Sequence, residues 1–518
     1  MDSGVRIKLS VMMFLQYAMW GAWAVSLGGY MDETLGFSGL QIGSIYSTTA
    51  IGAMISPLLM GFIADRFLAT EKMIGLLHLI GAALLGTAAV TTDFTTLYAI
   101  MFIYAICYMP TLALTNSISF ANIGDPEKDF PGIRVWGTWG WIIVGWIVGF
   151  VLDVPKGTSN MPIFLAAGCS AALGLFSFTL PHTPPKGRLS EETPAPEDNT
   201  SGKLSILSLL TDVSFLVFVV SSFLICIPLS FYYGFANVFL TELDAPYPTA
   251  LQTVGQISEV GFMAAMPFFI VRLGVKRMLA IGMLAWFLRY AFFGSLSFPL
   301  IVLGLVLHGI CYDFFFVASQ IYVDNRVSES QRASAQSFIA FVTMGVGMFI
   351  GSYVGGITFD KYPPETTVKV TIVSGADGKK EEKNVPLPSW DPKGEKGIAK
   401  ELGIKGDGTI KPEDIPEDFT EEDEKTKDKT IYNRESFIAA LKAADEAGNS
   451  DGKVDRAEWR AAKQHQWFSI WMWPALGAIG TCVIFWLGFR DQRDQSLERE
   501  MSEEAVLGAG EGPEPQVG

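Results

Sequence analysis

Gln256 and Glu259 lie in the middle of an apolar stretch that runs from Ala250 to Arg272. The stretch is long and apolar enough to cross a bilayer as one helix. An ionised carboxylate in hydrocarbon costs several kcal/mol, roughly 2.5 or more on insertion scales, so Glu259 should face protein or a water-filled cavity. Gln256 lies on the same helix face, because it is three residues earlier. The pair predicts a site for a polar solute and a proton; the alternative is a glutamate held in a structural ion pair.

A second carboxylate, Asp313, falls within another apolar stretch and is surrounded by aromatic residues. Tyr312 and Phe316 accompany it, and aromatic rings beside a polar group suit a flat ring ligand that stacks while its edges form hydrogen bonds. An ordinary aromatic core is the alternative. His308 could titrate, although a lone histidine is more often a hydrogen-bonded packing residue. We interpret Arg289, a third charge in the apolar segments, as snorkelling or structurally paired.

Further polar side chains follow helical stripes. Arg134, Thr138 and Trp141 are spaced by four and three residues, which places them on one face of a predicted helix. We expect this face to point inward, with Arg134 paired to a carboxylate across the bundle; the alternative is a cation that snorkels to the membrane surface. Ser230 and Tyr233 share a face of another predicted helix.

The composition is that of a polytopic membrane protein. Half of the 518 residues are hydrophobic and only 18% are charged, and the mean hydropathy is +0.32. These values exclude a soluble globular protein. The net charge of -15 comes largely from residues 360–466 and from the C-terminal end, so it describes a soluble insert and a tail rather than the substrate.

The apolar segments predict twelve membrane-spanning helices of about 20 residues each. They cover residues 7–30, 40–63, 72–90, 95–120, 132–153, 160–180, 213–240, 250–271, 277–294, 297–322, 333–358 and 467–489. A polar linker, residues 182–204, separates six spans in residues 1–181 from six in residues 205–361 and 467–489. Two six-helix halves around a central site are the pattern of the major facilitator superfamily.

Lysine and arginine are concentrated in the loops that follow the even-numbered spans. The positive-inside rule then places both termini in the cytoplasm, with residues 490–518 as a disordered cytoplasmic tail. The large loop between the last two spans is predicted to lie outside. The segment Gly61–Arg66 is similar to the superfamily's loop motif, in which Asp65 and Arg66 would form a conformational latch.

Six short segments together resemble the bacterial nucleoside:proton symporters of this superfamily. They are Gln16-Tyr-Ala-Met-Trp20-Gly-Ala-Trp23, Tyr108-Met-Pro-Thr-Leu, Asp129-Phe-Pro-Gly-Ile-Arg134-Val-Trp-Gly-Thr138, Gln256-Ile-Ser-Glu259, Tyr312-Asp313-Phe-Phe and Arg332-Ala-Ser-Ala-Gln336. The resemblance runs from the first span to the eleventh, in order and at similar spacing. It implies a central cavity that binds nucleosides and a proton-coupled alternating-access cycle.

The resemblance implies that Arg134, Thr138, Gln256, Glu259 and Asp313 lie at or near that cavity, whereas Trp141 and Tyr312 occupy positions that are Phe in the best-known member of the family. The predicted substrate-binding set is Arg134, Thr138, Trp141, Ser230, Tyr233, Gln256, Glu259, Tyr312, Asp313 and Phe316. Glu259 and Asp313 are the predicted proton-coupling groups. The family's amide-bearing pair in the seventh span appears here as Ser230 and Tyr233, so the base and sugar preference is expected to differ.

Residues 362–466 depart from the family pattern and predict a periplasmic α/β insert that looks EF-hand-like. A hairpin is predicted around residues 375–378. Ile410 and Val454 could pair between two loops that resemble calcium loops.

The second loop has oxygen ligands, a turn glycine and a closing glutamate, as a calcium loop requires. In the usual register its first position is Ala447, which has no ligand, so only a longer loop supplies an acid there. The predicted ligands are Asp445, Asn449, Asp451, Asp455 and Glu458. The alternative is a solvated acidic domain.

The sequence therefore predicts an all-α membrane protein that imports nucleosides with protons across a bacterial inner membrane. No Walker loop and no nucleophile–base pair occurs in the predicted spans, which argues against ATP-driven transport and against an enzyme. A proton-coupled sugar carrier and a non-transporting sensor are the alternatives. We expect a monomer in the lipid bilayer that binds a nucleoside and a proton, with no nucleic acid partner and no cofactor besides calcium in the insert.

Overall fold

The computed structural model describes residues 2–59, 68–152, 159–184, 209–327, 331–374, 378–388, 408–417, 419–422 and 429–490. The predicted latch at Gly61–Arg66, most of the predicted linker and nearly all of the predicted tail lie outside these ranges.

The described part is mainly helical. Its helices are α1 (Ser3–Ala24), α2 (Leu27–Glu33), α3 (Gly39–Leu59), α4 (Thr70–Val90), α5 (Phe94–Ala121), α6 (Pro126–Trp146), α7 (Met161–Ser177), α8 (Val213–Glu242), α9 (Pro248–Gly294), α10 (Phe298–Val306), α11 (His308–Tyr312), α12 (Ala318–Asp324), α13 (Arg332–Ala340), α14 (Met348–Lys361), α15 (Arg434–Ala447), α16 (Arg456–Lys463) and α17 (Trp467–Gly488). Eight helical segments of the described ranges are long and apolar enough to cross a membrane.

Aspartates begin several of these helices. The carboxylate of Asp93 accepts the backbone N–H of Thr96 at 2.8 Å, and Asp212 accepts that of Ser214 at 2.7 Å. Such caps satisfy N–H groups that have no partner within the helix. The long helix α9 contains two of the predicted spans, which are separated at Gly274, where φ is 70°, a value that glycine adopts without strain.

Two helix bundles make up the membrane part. Helices α1, α4, α5, α6 and α7 pack against one another, and α3 packs against α5; we call α1–α7 the N-bundle. Helix α9 packs against α10–α12 and α17, and α8 packs against α14 and α17; we call α8–α14 with α17 the C-bundle. The bundles meet where α3 contacts α14, α6 contacts α9, and α2 contacts α8.

The bundles touch most closely at the end where α14 finishes and α17 begins, which we call the insert face. A Cβ atom on Gly43 would overlap the backbone carbonyl oxygen of Ser352, and one on Gly356 would overlap that of Gly39. The carboxylate of Asp360 accepts the N–H of Gly39 at 2.6 Å, so a residue of the C-bundle caps α3 of the N-bundle. This face is therefore closed.

The insert contains its own sheet and core. Strands β1 (Thr367–Val373), β2 (Lys380–Pro386), β3 (Phe419–Glu422) and β4 (Lys429–Tyr432) form an antiparallel sheet in the order β2-β1-β4-β3. The β1–β2 hairpin confirms the prediction from the sequence. Val368, Phe437, Leu441 and Trp459 belong to a hydrophobic cluster separate from that of the bundles.

The last helix of the insert contacts both bundles. Lys463 lies 3.4 Å from the carboxylate of Glu33 in the N-bundle. Arg460 forms an ion pair with Asp244, at the end of α8 in the C-bundle. Three of these four side chains are less than 30% exposed, and the two pairs fix the orientation of α16 against the bundles.

Glu242 binds the segment that joins α16 to α17. Its carboxylate accepts hydrogen bonds from the His465 backbone N–H at 2.9 Å and from the indole N–H of Trp467 at 2.6 Å. The imidazole Nδ1 of His465 lies 2.7 Å from the same carboxylate. Burial lowers the pKa of His465 whereas the charge of Glu242 raises it, and the net direction is upward.

The His465–Glu242 pair predicts a pH-dependent stability. A histidine whose pKa is higher in the folded state stabilises the protein below its unfolded pKa of about 6.5, and this contribution disappears as the pH rises through the folded pKa. We expect the melting temperature of His465→Gln to fall less than that of the natural protein between about pH 6 and pH 9. Glu242→Gln should weaken the same dependence, and unchanged melting profiles in both variants would contradict the pairing.

Candidate functional site

Glu259 and Gln256 lie on α9 between the bundles. The Glu259 side chain is 17% exposed, and its Oε2 lies 3.7 Å from Nε2 of His308. Arg134 of the N-bundle is within electrostatic range of the same carboxylate. The Oε1 atom of Gln256 is buried and has no hydrogen-bond partner among the described residues. One helix face therefore offers a carboxylate and an amide oxygen with capacity for a ligand.

Arg289 and His308 were interpreted from the sequence as peripheral or packing residues. The snorkelling interpretation of Arg289 is wrong, because the residue is completely buried. Its Nη1 lies 2.9 Å from Nδ1 of His308, and its guanidinium lies 3.6 Å from the centre of the Tyr232 ring. The second interpretation, a structural pair, fits better, with histidine as the partner.

Asp313 is the second predicted proton-coupling group. It is completely buried, and both carboxylate oxygens lack a hydrogen-bond partner among the described residues. The residue begins a π-helical turn, Asp313–Val317, between α11 and α12. Such turns shift side chains away from the regular helical positions and often occur at functional sites.

Aromatic rings accompany the candidate polar residues in both bundles. Trp141 packs edge-on against Trp20, with ring centres 5.5 Å apart, and the Arg134 guanidinium lies 4.1 Å from the centre of the Tyr17 ring. On the C-bundle side, the rings of Tyr312 and Phe316 are 5.0 Å apart. Both bundles therefore contain aromatic rings close in sequence to the candidate polar residues, and such rings can stack on a flat ligand.

The N-bundle stripe of Arg134, Thr138 and Trp141 lies on α6. Thr138 and Trp141 are half-buried. The predicted direct ion pair of Arg134 with a carboxylate does not occur among the described residues, where its contact is the Tyr17 ring. Sequence reasoning did not single out Tyr17, although it lies next to Gln16 in a quoted motif.

Comparison with known proteins decides the family. The profile of the nucleoside H+ symporter family matches residues 3–374. The chain belongs to this family. It is a family of transporters, so the enzyme alternative is excluded, as the sequence predicted.

Two relatives of this symporter come from Escherichia coli strain K12. The chain is 43% identical over 364 residues to YegT, provisionally named a nucleoside transporter, and the match covers 68% of this chain and 84% of YegT. It is 34% identical over 380 residues to nucleoside permease NupG, covering 69% and 88% of the two chains. A crystal structure of nucleoside transporter NupG is also similar, with a TM-score of 0.63 and 32% identity over 70% of this chain and 93% of that one.

The membrane part thus has the fold of NupG. This confirms the overall major facilitator fold that the sequence predicted for the membrane part. The family match stops at residue 374, early in the insert. The rest of the insert is an addition to the matched region.

Ser230 is less suited to ligand binding than the sequence suggested. Its hydroxyl donates to the carbonyl oxygen of Cys226 at 3.0 Å and lies 3.2 Å from that of Met348. The side chain thus joins α8 to α14. Tyr233 on the neighbouring face is half-buried and lies 5.8 Å from Tyr232, ring centre to ring centre.

This placement predicts the effect of removing the Ser230 hydroxyl. We expect Ser230→Ala to leave the ranking of substrates unchanged and to lower the stability by about 1 kcal/mol, the net value of a typical hydrogen bond. Competition assays and a thermal melt measure the two effects. If Ser230→Ala changes the order of substrate affinities but not the melting temperature, Ser230 does contact the substrate.

In the predicted calcium loop of the insert, the carboxylates accept hydrogen bonds from backbone N–H groups. The oxygens of Glu458 accept the backbone N–H groups of Asn449 at 2.8 Å and Asp455 at 3.0 Å. Asp455 caps α16 through the N–H of Ala457 at 2.8 Å. Asp451 accepts the backbone N–H of Lys453, two residues later, at 3.0 Å.

The same pattern extends to the start of the loop. The Asp445 carboxylate accepts the N–H of Gly452 at 3.1 Å, and the amide oxygen of Asn449 accepts that of Asp451 at 2.9 Å. The described residues contain no group of three or more His, Cys, Asp or Glu side chains placed to hold a metal. These residues do not fit the predicted calcium site.

The predicted pairing of the two loops does occur. Ile410 and Val454 exchange two backbone hydrogen bonds of 2.9 and 2.8 Å. This bridge is what the structure describes of the pairing, because residues 403–407 of the first loop lie outside the described ranges.

Proposed function

We propose that this chain imports nucleosides together with protons across a bacterial inner membrane by alternating access. The observation that carries the proposal is the set of buried polar atoms on Gln256 and Asp313 that have no hydrogen-bond partner among the described residues. Unpaired buried polar atoms are costly, and a ligand with several donors and acceptors would satisfy them. A nucleoside has such edges and a flat base that stacks.

The two bundles have distinct parts in substrate binding. From the N-bundle, Arg134 and Thr138 bind polar edges while Trp141 supplies a ring. From the C-bundle, Gln256 binds a base or sugar edge. Tyr233, Tyr312 and Phe316 enclose the ring, with Glu259 and Asp313 at the polar end.

Glu259 is the first proton-coupling group in this proposal, because it is partly exposed and has ionisable neighbours. Asp313 is the second. An ionised carboxylate without a partner in such a buried place would cost several kcal/mol. We therefore expect Asp313 to carry a proton in the described conformation.

The conformation fits an inward-facing state. The insert face is closed by the glycine contacts of α3 with α14 and by the Asp360 cap. In the proposal this face is periplasmic, both termini are cytoplasmic, and the helices form twelve spans in two six-helix halves. The transporting unit in the proposal is the monomer.

The substrate class is tested by competition. Purified protein in proteoliposomes should take up labelled uridine, and unlabelled nucleosides in excess should compete. Free ribose and glucose should not compete. Competition by free sugars at similar concentrations would instead support the alternative of a sugar carrier, and a lack of any uptake would favour the sensor.

The insert is proposed to be an independent module rather than part of the site. Its ends are adjacent, since the N–H of Gln466 donates to the carbonyl oxygen of Tyr362 at 3.2 Å. We therefore expect proton-driven uptake to survive replacement of residues 364–464 by a short linker, which keeps His465 and Trp467 against Glu242. A monodisperse deletion protein that binds nucleoside but does not transport it would show that α16 takes part in gating.

A further inference from the structure

Three charged or titratable side chains form a line through the C-bundle. Nη1 of Arg289 lies 2.9 Å from Nδ1 of His308. Nε2 of the same imidazole lies 3.7 Å from Oε2 of Glu259. Arg289 is completely buried and the His308 side chain is 3% exposed. The residues come from the two halves of α9 and from α11, so the tertiary fold brings them together.

The arginine fixes the state of the imidazole. A guanidinium has only N–H donors, so Nδ1 of His308 must accept its hydrogen bond. A neutral imidazole with an accepting Nδ1 carries its proton on Nε2. That N–H faces Glu259. At 3.7 Å the distance is longer than a hydrogen bond, and an approach of less than 1 Å would form one.

The line also compensates charge. Among the described residues, no carboxylate forms a direct ion pair with Arg289, although a cation in this position needs a counter-charge. An ionised Glu259 supplies one through the polarised imidazole. A protonated Glu259 does not.

We propose that His308, oriented by Arg289, is a positioning residue for proton release from Glu259. When Glu259 loses its proton to water in the inward-facing state, the Nε2–H group of His308 donates to the carboxylate and stabilises it. His308 keeps its own proton throughout and is not the carrier. This inference rests on the proposed proton-coupled function and adds two residues to it.

Other titratable groups surround the line and are part of its environment. They are Tyr232 and Tyr233 of α8, Cys311 and Tyr312 of α11, Asp313 after α11, and Arg134 of α6. The tyrosines and the thiol are neutral near pH 7. The positive charge of Arg134 favours the ionised form of Glu259 from the N-bundle side. The line from Arg289 through His308 favours the same form from the C-bundle side.

Two substitutions separate positioning from packing. His308→Gln retains an oxygen that accepts from Arg289 and an N–H that donates to Glu259, but it cannot titrate. His308→Leu removes the hydrogen bond to Arg289 and the donor that faces Glu259, at similar volume. Each variant is reconstituted in proteoliposomes, and uridine uptake is measured against external pH. Exchange of labelled for unlabelled uridine, which needs no net proton movement, is measured in parallel.

We expect His308→Leu to move the pH midpoint of uptake upward by about one unit, the size of effect a lost donor has on a carboxylate. Its accumulation of uridine should fall while exchange continues. His308→Gln should keep the midpoint of the natural protein. An unchanged midpoint in His308→Leu, or an equal shift in both variants, would overturn the inference.

A second variant covers the case in which His308→Leu does not fold. Arg289→Lys retains the charge but loses the planar donor geometry that orients the imidazole. It should shift the midpoint in the same direction, and an unchanged midpoint would overturn the inference. If the proposed function itself fails, the natural protein shows no uptake; if only this inference fails, the natural protein transports and the variants follow its pH profile.

Discussion

Glu259→Gln should abolish concentrative uptake while nucleoside binding is retained. Glutamine preserves the size of the side chain and a hydrogen-bonding group toward His308, but it cannot exchange a proton. In proteoliposomes with an inward proton gradient, uptake by this variant should stop at equal concentrations inside and outside. Exchange of labelled for unlabelled nucleoside should continue, because that reaction requires no net proton movement.

A matched substitution on the surface provides the control. Glu413 lies in the insert and its side chain is 74% exposed, so Glu413→Gln should accumulate nucleoside like the natural protein. If Glu259→Gln still concentrates nucleoside, Glu259 is not the coupling group, and Asp313 becomes the candidate. Asp313→Asn then tests that second carboxylate in the same assay.

Gly43→Ala should slow transport strongly by obstructing closure of the insert face. A Cβ atom at Gly43 would overlap the Ser352 carbonyl oxygen, which is backbone and cannot rotate away. Overpacking of this kind costs about 1–3 kcal/mol, a bias of roughly 5- to 150-fold against the closed state. Uptake should fall within that range, and calorimetric binding of nucleoside by the detergent-solubilised protein should change less.

The control for this variant is Gly86→Ala on α4, where an added Cβ atom meets nothing within 4 Å. It should transport at the rate of the natural protein. Equal rates for Gly43→Ala and the natural protein would show that the insert face does not close as tightly during transport as in the structure described. A loss in Gly86→Ala would point instead to a general sensitivity of the bundle to helix substitutions.

The sequence was most informative where the chemistry of a residue allows only one kind of environment. A carboxylate in an apolar stretch must face protein or water, and Glu259 does so. Hydropathy likewise located the helices of the membrane part, although it could not show that α9 continues through two predicted spans with a break at Gly274. The β1–β2 hairpin and the Ile410–Val454 pair followed from alternation and turn residues, which are local.

The sequence was least informative about contacts between distant segments. Arg289 and His308 were each assessed alone, because nothing in their spacing shows that the fold places them 2.9 Å apart. Ser230 lies on the predicted helix face, but the rotation of α8 turns its hydroxyl toward Met348. Helical periodicity gives which residues share a face and does not give which neighbour that face meets.

The calcium prediction is not supported, for a related reason. The loop contains the residue types of a calcium loop, yet both carboxylate oxygens of Glu458 accept hydrogen bonds from backbone N–H groups. Acidic side chains in a turn satisfy local N–H groups or bind a cation, and composition alone does not distinguish these uses.

One measurement tests the central claim most directly: uptake of labelled uridine by the purified protein in proteoliposomes, with and without an inward proton gradient. We predict accumulation above the external concentration only when the gradient is present, and its collapse when a protonophore is added. Uptake that reaches the same level with and without the gradient, or that persists after the protonophore, would contradict proton-coupled nucleoside import.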